Sequence, residues 1–306
     1  MNKNYDVLII GCGPCGIGAA LKLKEAGFSS LAIIERSTPG GKVNIAPRVD
    51  NYPGFKEVPG PDLAYAFFER INQSGIEIIG EDVISLTKND NIFTLKCEQN
   101  TYTAKAVLIA TGTKEKQLGF PNEDALLGHG ISYCALCDGH FFKGADIAVV
   151  GGGNSALKES LYLSNIVNHL YLIHRRVEFR GKDQLLDELK AKPNVTILTP
   201  FIPLEILASD RVIGLKIQNR ETEEITTLSI DGIFPLIGQI PNTQFVKIEG
   251  VLDENGNVPV DKNMMTIIPG LFAGGDVLPR PIRQIYLAEH DGMVAAKSIA
   301  SYLKEV

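Results

Sequence analysis

The chain has 306 residues, of which 44 % are hydrophobic and 22 % charged, and this size and composition are typical of a globular protein with two domains. The formal net charge of -6, without a compensating Lys/Arg cluster, argues against a nucleic-acid partner. Five cysteines are too few for a secreted disulfide scaffold and no apolar stretch reaches membrane-spanning length, so we expect a cytoplasmic protein.

The N-terminal segment predicts a dinucleotide-binding fold. Residues 5–10 are predicted to form a buried strand, a glycine-rich turn follows, and residues 17–25 are predicted to form a helix. The first glycine permits the tight turn, the second lets the backbone approach a pyrophosphate, and the third allows close packing. A second strand at 30–34 leads to Glu35, the acid expected to bind an adenosine ribose. The turn residues assigned to the cofactor are Gly11, Gly13, Pro14, Cys15 and Gly16.

The same turn contains a Cys-Gly-Pro-Cys sequence, formed by Cys12 and Cys15, that is typical of redox-active cysteine pairs. We reject a redox role here because the two cysteines occupy variable positions of a phosphate-binding loop, where a bound pyrophosphate would bury them. A four-cysteine zinc site with the pair at residues 134 and 137 would require the loop to give up its nucleotide. We therefore predict no metal site.

Short strands are predicted for much of the segment up to residue 110. A loop rich in Gly, Pro and Asn is predicted at 38–60 and a helix at 63–74. The predicted strands are 76–79, 83–88, 92–97, 102–104 and 106–110. Cys97 lies in this strand region, and we interpret it as a packing residue.

A second cysteine pair, Cys134 and Cys137, lies near the middle of the chain and is followed by Asp138. With two intervening residues at a helix start, the sulfurs can reach bonding distance, and the helix dipole and free N–H groups favour the thiolate. The pattern alone would also fit half a zinc site or two buried thiols. Because the pair lies between two dinucleotide-binding patterns, redox chemistry is the favoured interpretation.

An internal repeat appears when the sequence is shifted by 140 residues, so that Gly11 aligns with Gly151 without a gap. The chain therefore contains two nucleotide-binding patterns. In this register Glu35 aligns with Arg175. A carboxylate would repel a 2′-phosphate, whereas a guanidinium binds one through forked hydrogen bonds. The repeat predicts two different ligands, although the basic run at 174–176 could also be a solvated turn.

The remaining segments are predicted to complete the two folds. A helix is predicted at 183–190 and a final helix ends near Leu303. Strands are predicted at 195–198, 212–218, 225–228 and 230–237. A further strand, starting at Thr266, leads to Asp276 at its carboxyl end, and ligands gather at such strand ends.

In the order and spacing of these motifs the sequence strongly resembles the low-molecular-weight thioredoxin reductases, two-domain flavoproteins of the class-II pyridine nucleotide-disulfide oxidoreductases, over essentially its whole length. The matching motifs are the first glycine loop, 110–112, 134–139, 151–156, 174–176 with Arg180, and 270–276 with 283–284. The resemblance implies an α/β protein with two Rossmann-like, three-layer ββα domains, the second inserted into the first. The FAD-binding domain would comprise 1–113 and 246–306, and the NADPH-binding domain, which carries the redox CxxC, would comprise 114–245.

The resemblance also assigns binding residues to each cofactor. For FAD, beyond the first turn, these are Glu35, Arg36, Gly40, Gly41, Lys42, Asn51, Ala110, Thr111, Gly112, Gly275, Asp276, Val277, Arg283 and Gln284. For NADPH they are Gly151, Gly153, Asn154, Ser155, His174, Arg175, Arg176 and Arg180.

The activity that the resemblance implies is a disulfide reductase. Electrons would pass from NADPH through FAD and the Cys134–Cys137 pair to the disulfide of thioredoxin or a thioredoxin-like protein. Cys137 would face the flavin, Cys134 would attack the partner, and Asp138 would protonate a leaving thiolate or only cap a helix. A homodimer is expected, with a mobile NADPH domain on linkers at 111–116 and 238–244.

Two alternatives stay open at this point. The first is a flavoprotein of the same fold that takes electrons from ferredoxin or acts as a dithiol oxidase, although the retained arginines count against it. The second is a redox-inactive module that binds flavin or zinc.

Three departures from the family pattern fall where the chain should face the flavin. They are the segment Lys42 to Pro47, Ile282, and the pair Glu289-His290. We expect His290 to face the ring and Glu289 to point outward, because a buried unpaired carboxylate is the costlier arrangement. These departures bear on the potential of the flavin and on its electron donor.

Overall fold

The computed structural model describes residues 2–46 and 48–305, in which the chain forms two compact units. Unit 1 comprises Met1–Lys114 and Ile240–Val306, and unit 2 comprises Glu115–Gln239. The chain therefore leaves unit 1, completes unit 2 and returns to unit 1. Within residues 2–46 and 48–305, every helix is too short or too polar to cross a lipid bilayer.

The elements alternate between strands and helices, which confirms the predicted α/β class. In chain order the strands are β1 (Asn2–Ile10), β2 (Leu31–Ile34), β3 (Glu77–Ile79), β4 (Val83–Asn89), β5 (Ile92–Cys97), β6 (Thr101–Ile109), β7 (Thr113–Glu115), β8 (Asp146–Val150), β9 (His169–Ile173), β10 (Val195–Leu198), β11 (Phe201–Ala208), β12 (Val212–Asn219), β13 (Ile225–Leu228), β14 (Gly232–Pro235), β15 (Gln239–Pro241) and β16 (Leu271–Ala273). The α-helices are α1 (Pro14–Glu25), α2 (Gly60–Ser74), α3 (Ala135–Asp138), α4 (Asn154–Leu163), α5 (Asp183–Lys190) and α6 (Ile285–Glu305). Short 3₁₀ helices lie at Gly41–Ile45, Asp124–Leu126, Gly139–Phe142 and Gly275–Val277.

Unit 1 is built on one sheet with the strand order β3-β2-β1-β6-β5-β4, and β16 also pairs with β6. Four pairs in this sheet are parallel: β3 with β2, β2 with β1, β1 with β6, and β6 with β16. Two pairs are antiparallel: β6 with β5, and β5 with β4. Since successive side chains of a strand face opposite sides, Val7 and Ile9 pack in a cluster with residues of α1, α2 and α6. Leu8 and Ile10 pack on the other face, with residues of β4, β5 and the segment 246–278.

The helices α1 and α6 approach each other so closely that their contact requires glycine. A Cβ atom at Gly292 would lie 2.0 Å from the carbonyl oxygen of Cys15, and one at Gly18 would lie 2.9 Å from the carbonyl oxygen of Glu289. Backbone atoms of a packed helix cannot move aside at low cost. The C-terminal helix is therefore held directly against the start of α1, where the first glycine turn ends.

Unit 2 repeats the layered arrangement around a smaller parallel sheet with the order β10-β9-β8-β14. Ile147 and Val149 of β8 pack with residues of α3, α4 and α5. Ala148 and Val150 pack on the other face with the antiparallel sheet β11-β12-β13. Helices, parallel sheet and antiparallel sheet make the three-layer ββα arrangement that the sequence predicted.

The structure also shows the internal repeat. Gly11 and Gly151 both have positive φ, of 101° and 156°, directly after β1 and β8. Gly13 and Gly153 both cap the following helix. The two halves therefore share the same strand, turn and helix at positions 140 residues apart, as the sequence indicated.

The strand predictions differ from the structure in several places. The three-residue strands β7 and β15 were not predicted. The segments predicted as separate strands at 102–104 and 106–110 form the continuous strand β6, in which exposed Lys105 pairs with Asp6 at 2.9 Å. The strand β11 was not predicted because Pro200 and Pro203 interrupt its pattern, and the ladder has an irregularity just after Pro203.

Candidate active site

The central feature of unit 2 is the disulfide between Cys134 and Cys137, with an S–S distance of 2.08 Å. Cys134 is the N-cap of α3, and its Sγ accepts the N–H of Cys137 at 3.1 Å. Both cysteines are partly exposed. A CxxC pair at a helix start is therefore present as predicted, in the bonded form, where a partner molecule can reach it.

Three side chains hold the residues that surround Cys134. Glu123 is 1 % exposed, and its carboxylate accepts hydrogen bonds from the N–H groups of Leu118 and Gly119. It also accepts one from the hydroxyl of Tyr133, at 2.6 Å. Glu159 accepts the N–H of Ala135 at 3.1 Å, and its burial raises the pKa of this carboxyl. The third is Ser132, whose hydroxyl lies 2.6 Å from Asp138. Sequence analysis assigned no role to these three: Ser132 belongs to the stretch 132–139 that carries the cysteines, and Glu123 and Glu159 lie outside it.

The remaining cysteines are poor nucleophiles. Cys12, Cys15 and Cys97 are buried free thiols. Burial, and after it the charge of Glu35, raises the pKa of Cys12 to about 12. Burial likewise raises the pKa of Cys97 to about 12 and that of Cys15 still further. These thiols stay protonated at neutral pH, so Cys12 and Cys15 lack the thiolate character of a redox pair. No group of three or more His, Cys, Asp or Glu side chains that could hold a metal ion occurs in the part of the chain that the structure describes.

In unit 1 the first glycine turn is shaped for a phosphate at a helix start. A Cβ at Gly16 would lie 2.0 Å from the carbonyl oxygen of Gly11, so the strand and the helix meet there at backbone distance. By contrast, no described atom lies within 4 Å of the position of a Cβ at Gly13. Pro14 begins α1, whose N-terminal N–H groups suit an anion. This open, anion-compatible corner fits a pyrophosphate.

Beside this turn lies a cavity of about 250 Å³. Its wall includes the predicted residues Gly11, Glu35, Arg36 and Thr111. The carboxylate of Glu35 accepts the N–H of Cys12 at 2.7 Å, which fixes it at the rim of the turn. Residues that the sequence did not assign to a cofactor complete the wall: Ile10, Ile34, Glu81, Asp82, Val83, Ile84, Lys114, Asn242, Gln244 and Phe245. The acid, the apolar side chains and the adjoining turn fit an adenosine ribose and its base.

Other residues predicted for the flavin are brought together from distant parts of unit 1. The side-chain amide of Asn51 donates to Oε1 of Gln284 at 2.7 Å across 233 residues of sequence. Gly275, Asp276 and Val277 form a 3₁₀ turn after β16, and the N–H of Gly275 donates to Asp291 at 2.9 Å. Asp291 in turn pairs with Arg280. Burial raises the pKa of Asp276, although the positive charges of Arg283 and Lys42 oppose this effect.

The prediction that Glu289 points outward was wrong. Glu289 is partly buried and its carboxylate accepts the hydroxyl of Tyr52 at 2.6 Å, whereas His290 is exposed. The expectation assumed an unpaired carboxylate, and Tyr52 supplies the missing donor. Burial, and then the hydrogen bond to Glu289, raises the pKa of Tyr52, so the phenol keeps its proton. Of the other departures, Ile282 is 59 % exposed, and Pro47 lies outside the described residues.

We expect Tyr52→Phe to lower the free energy of unfolding by about 1–3 kcal/mol, because it leaves a partly buried carboxylate without its donor. Urea unfolding of the flavin-loaded protein measures this change. In Glu289→Gln, whose amide no longer carries the charge, the same Tyr52 substitution should cost clearly less. Equal costs in the two backgrounds would show that the charge of Glu289 adds nothing to this hydrogen bond.

The second glycine turn, in unit 2, is closed by a buried histidine. His174 is 5 % exposed and lies over Gly152, where a Cβ would stand 2.3 Å from the ring. Its Nε2 lies 3.2 Å from the carbonyl oxygen of Glu178, and burial lowers the pKa of His174. The ring of His174 therefore packs over the glycine turn and fixes the loop after β9. Asn154 accepts the N–H of Lys182 at 2.9 Å and holds the far end of that loop.

The loop presents three exposed arginines, Arg175, Arg176 and Arg180. The N–H of Arg180 donates to the carbonyl oxygen of Gly152 at 2.9 Å, so this residue stands beside the glycine turn. Arg220, from the turn after β12, donates from Nη1 to the carbonyl oxygen of Arg175 at 3.1 Å. Sequence analysis missed Arg220 because 45 residues separate it from Arg175. The exposed positive charge beside a glycine turn fits a phosphorylated nucleotide.

Comparisons with known proteins agree with this geometry. The family model described as pyridine nucleotide-disulphide oxidoreductase matches residues 5–292. The chain is 36 % identical over 305 residues to a thioredoxin reductase of Ureaplasma parvum, covering 99 % of this chain and 98 % of that protein.

Solved structures are similar as well. A thioredoxin reductase of Lactococcus lactis in its FR conformation has a TM-score of 0.86 and 33 % identity, covering 99 % of this chain and 100 % of that chain. A ferredoxin-flavin thioredoxin reductase of Clostridium acetobutylicum has a TM-score of 0.56 and 30 % identity, covering 100 % of each chain.

Proposed function

The chain belongs to the pyridine nucleotide-disulphide oxidoreductase family and is a flavin-dependent disulfide reductase, and we propose that it uses FAD and NADPH to reduce the disulfide of thioredoxin or a thioredoxin-like protein. The observation that carries this proposal is the partly exposed Cys134–Cys137 disulfide at the start of α3. The thioredoxin reductases among its relatives support the choice of partner. We also propose a cytoplasmic homodimer, on the family resemblance alone.

The chemistry of the chain's own residues begins with the reduced cysteine pair. FAD, when bound, would accept two electrons as a hydride and pass them on to a disulfide. The thiolate of Cys134 attacks one sulfur of the partner's disulfide, which breaks that S–S bond and forms a mixed disulfide. The departing partner thiolate takes a proton from Asp138.

The second half of the exchange restores the bonded pair. The carboxylate of Asp138 accepts the proton of the Cys137 thiol, and the resulting thiolate attacks Sγ of Cys134. The mixed disulfide breaks and the second partner sulfur leaves. Two electrons have then passed from the cysteine pair to the partner.

We assign FAD to unit 1 and NADPH to unit 2. In unit 1 the carboxylate of Glu35 suits a ribose diol and would repel a 2′-phosphate. At the equivalent position of unit 2 stands Arg175, next to Arg176. Arg180 of the same loop donates its backbone N–H to the carbonyl oxygen of Gly152 in the glycine turn. A guanidinium fork binds a 2′-phosphate through charge-assisted hydrogen bonds. Asn51, Asp276, Arg283 and Gln284 would hold the flavin end of FAD.

Replacing both Arg175 and Arg176 by Ala should raise the Michaelis constant for NADPH roughly tenfold to a hundredfold, the equivalent of about 1.5–3 kcal/mol. The constant for NADH should change little, since NADH has no 2′-phosphate. Steady-state kinetics with both nucleotides measures the ratio. Arg211→Ala, which removes an exposed arginine from the turn before β12, is the matched control and should behave as wild type. Equal losses with NADPH and NADH would instead indicate a damaged fold.

One observation favours a second candidate function. The chain is similar to a ferredoxin-flavin thioredoxin reductase, so reduced ferredoxin is the alternative electron donor. The basic loop 174–180 speaks for the nucleotide, because a ferredoxin-dependent enzyme has no need of a 2′-phosphate site.

The direct test of the proposal is turnover. Purified flavin-loaded protein, supplied with NADPH and oxidised thioredoxin, should oxidise NADPH continuously and produce reduced thioredoxin. Wild-type protein that oxidises no NADPH under these conditions, but turns over when reduced ferredoxin replaces NADPH, would support the second candidate. A colourless protein that instead binds zinc stoichiometrically would remove both candidates.

A further inference from the structure

A serine next to the cysteine pair connects two groups of the proposed exchange reaction. Ser132 is 4 % exposed, whereas Cys134 and Asp138 are partly exposed. Its Oγ lies 2.6 Å from Oδ2 of Asp138 and accepts the N–H of Cys134 at 3.1 Å. The hydroxyl therefore bridges the backbone of the attacking cysteine and the carboxyl group of the acid.

The single hydroxyl proton of Ser132 has two acceptors within reach. The carbonyl oxygen of Cys134 lies 3.3 Å from Oγ, and Oδ2 of Asp138 lies 2.6 Å away. A carboxyl oxygen at the shorter distance is the stronger acceptor. The hydroxyl therefore donates to Asp138, and its lone pair stays available to the N–H of Cys134.

The hydroxyl of Ser132 contacts α3, but its backbone is anchored to the sheet of unit 2. Its backbone N–H donates to the carbonyl oxygen of Ile233 in β14 at 3.1 Å. The neighbouring Tyr133 is held by Glu123, and Ala135 by Glu159. The carboxyl group of Asp138 is thus attached through Ser132 to a part of the fold that does not depend on the S–S bond, so it keeps its place when the cysteine pair is reduced.

We propose that Ser132 is a positioning residue that occupies Oδ2 of Asp138 and thereby makes Oδ1 the oxygen that carries the transferred proton. This inference rests on the proposed disulfide exchange. When Asp138 is a carboxylate, its Oδ2 accepts the hydrogen bond from the Ser132 hydroxyl. When Asp138 is protonated on Oδ1, Oδ2 is the carbonyl oxygen of the acid and still accepts that hydrogen bond. A proton on Oδ2 would instead turn the hydroxyl of Ser132 to its weaker acceptor, the carbonyl oxygen of Cys134 at 3.3 Å. The same hydrogen bond therefore serves both protonation states and selects one oxygen for the exchange with sulfur.

The proton balance of the exchange follows from this arrangement. Oδ1 gives its proton to the first partner thiolate as the partner's S–S bond breaks, and Asp138 becomes a carboxylate. Oδ1 then takes the proton of the Cys137 thiol, and the sulfur of Cys137 attacks Sγ of Cys134. As the Cys134–Cys137 bond forms, Oδ1 transfers this proton to the second partner sulfur. Two electrons and two protons have then reached the partner, and Ser132 keeps its own proton throughout.

The test uses leaving thiols of different basicity. A basic leaving thiolate, such as that of a protein disulfide, needs a proton as it departs, whereas the acidic aromatic thiolate of 5,5′-dithiobis(2-nitrobenzoate) leaves without one. In single-turnover reactions of the pre-reduced flavin-loaded enzyme, Ser132→Ala should slow reaction with thioredoxin roughly tenfold or more, and should slow release of the first aromatic thiolate, the step that needs no proton, less than about twofold. Ser132→Thr, which keeps the hydroxyl, should restore the rate with thioredoxin. Equal slowing of both disulfides by Ser132→Ala would show a merely structural role and overturn the proposal.

A double substitution gives the second measurement. If Ser132 acts through Asp138, Ser132→Ala should cost less than about twofold with thioredoxin in an Asp138→Asn enzyme. Losses that multiply would contradict the proposal. If Ser132→Ala does not fold, Ser132→Thr is measured instead. A Ser132→Thr enzyme that loses as much of its rate with thioredoxin as Asp138→Asn does would overturn the assignment. Wild-type enzyme that is reduced by NADPH but ignores thioredoxin would count against the proposed partner, while the aromatic disulfide would still report on the cysteine pair.

Discussion

A Cys134→Ser enzyme should still lose its visible flavin absorbance on addition of NADPH, yet its turnover with thioredoxin should fall by roughly 10³-fold or more. Cys134 is the proposed attacking thiol, and a serine hydroxyl at its position cannot form the mixed disulfide. Hydride transfer to the flavin does not require this sulfur. Stopped-flow absorbance measures the first step, and the thioredoxin-dependent oxidation of NADPH measures the second.

The matched control is Cys97→Ala, which removes a buried thiol from β5 of unit 1. Burial raises the pKa of Cys97 to about 12, so this thiol contributes no thiolate, and the control enzyme should turn over normally. Normal turnover of Cys134→Ser would contradict the assignment of the attacking sulfur.

The second large effect is expected at the crossing of α1 and α6. Gly292→Ala should lower the free energy of unfolding by about 3 kcal/mol, because the new methyl group would lie 2.0 Å from the carbonyl oxygen of Cys15. The helices must separate to accept it, and their separation opens the packing behind the first glycine turn. We therefore also expect weaker retention of flavin, which gel filtration followed by absorbance would measure.

Gly80→Ala serves as the control for this substitution. Gly80 is exposed in the same unit, and no described atom lies within 4 Å of the position of its Cβ. The free energy of unfolding of Gly80→Ala should stay within about 0.5 kcal/mol of wild type. A Gly292→Ala protein as stable as Gly80→Ala would show that the two helices can separate at no cost.

The parts of the fold that could be predicted are those encoded by local spacing. Glycines at fixed intervals between a strand and a helix identified both nucleotide turns, and the shift of 140 residues related Gly11 to Gly151. The same spacing argument placed Cys134 and Cys137 at a helix start, where the structure has them. Such features depend on backbone geometry within a few residues, which sequence patterns report directly.

The contacts that could not be predicted join residues far apart in the sequence. Nothing in the sequence pairs Tyr52 with Glu289 across 237 residues, yet this hydrogen bond overturns the expectation that Glu289 points outward. The same is true of Glu159, which reaches the first residue of α3 from 24 residues away. Whether burying a polar side chain costs free energy depends on its hydrogen-bond partner. That partner can be identified only in the folded structure.

The central claim is that electrons pass from NADPH through the flavin to the Cys134–Cys137 disulfide. Anaerobic titration of the flavin-loaded enzyme tests it, with absorbance reporting the flavin and thiol labelling reporting the cysteines. We expect NADPH to bleach the flavin and to expose two new thiols at Cys134 and Cys137, while NADH does so much less readily. An enzyme whose flavin is bleached by reduced ferredoxin but by neither nucleotide would contradict the account.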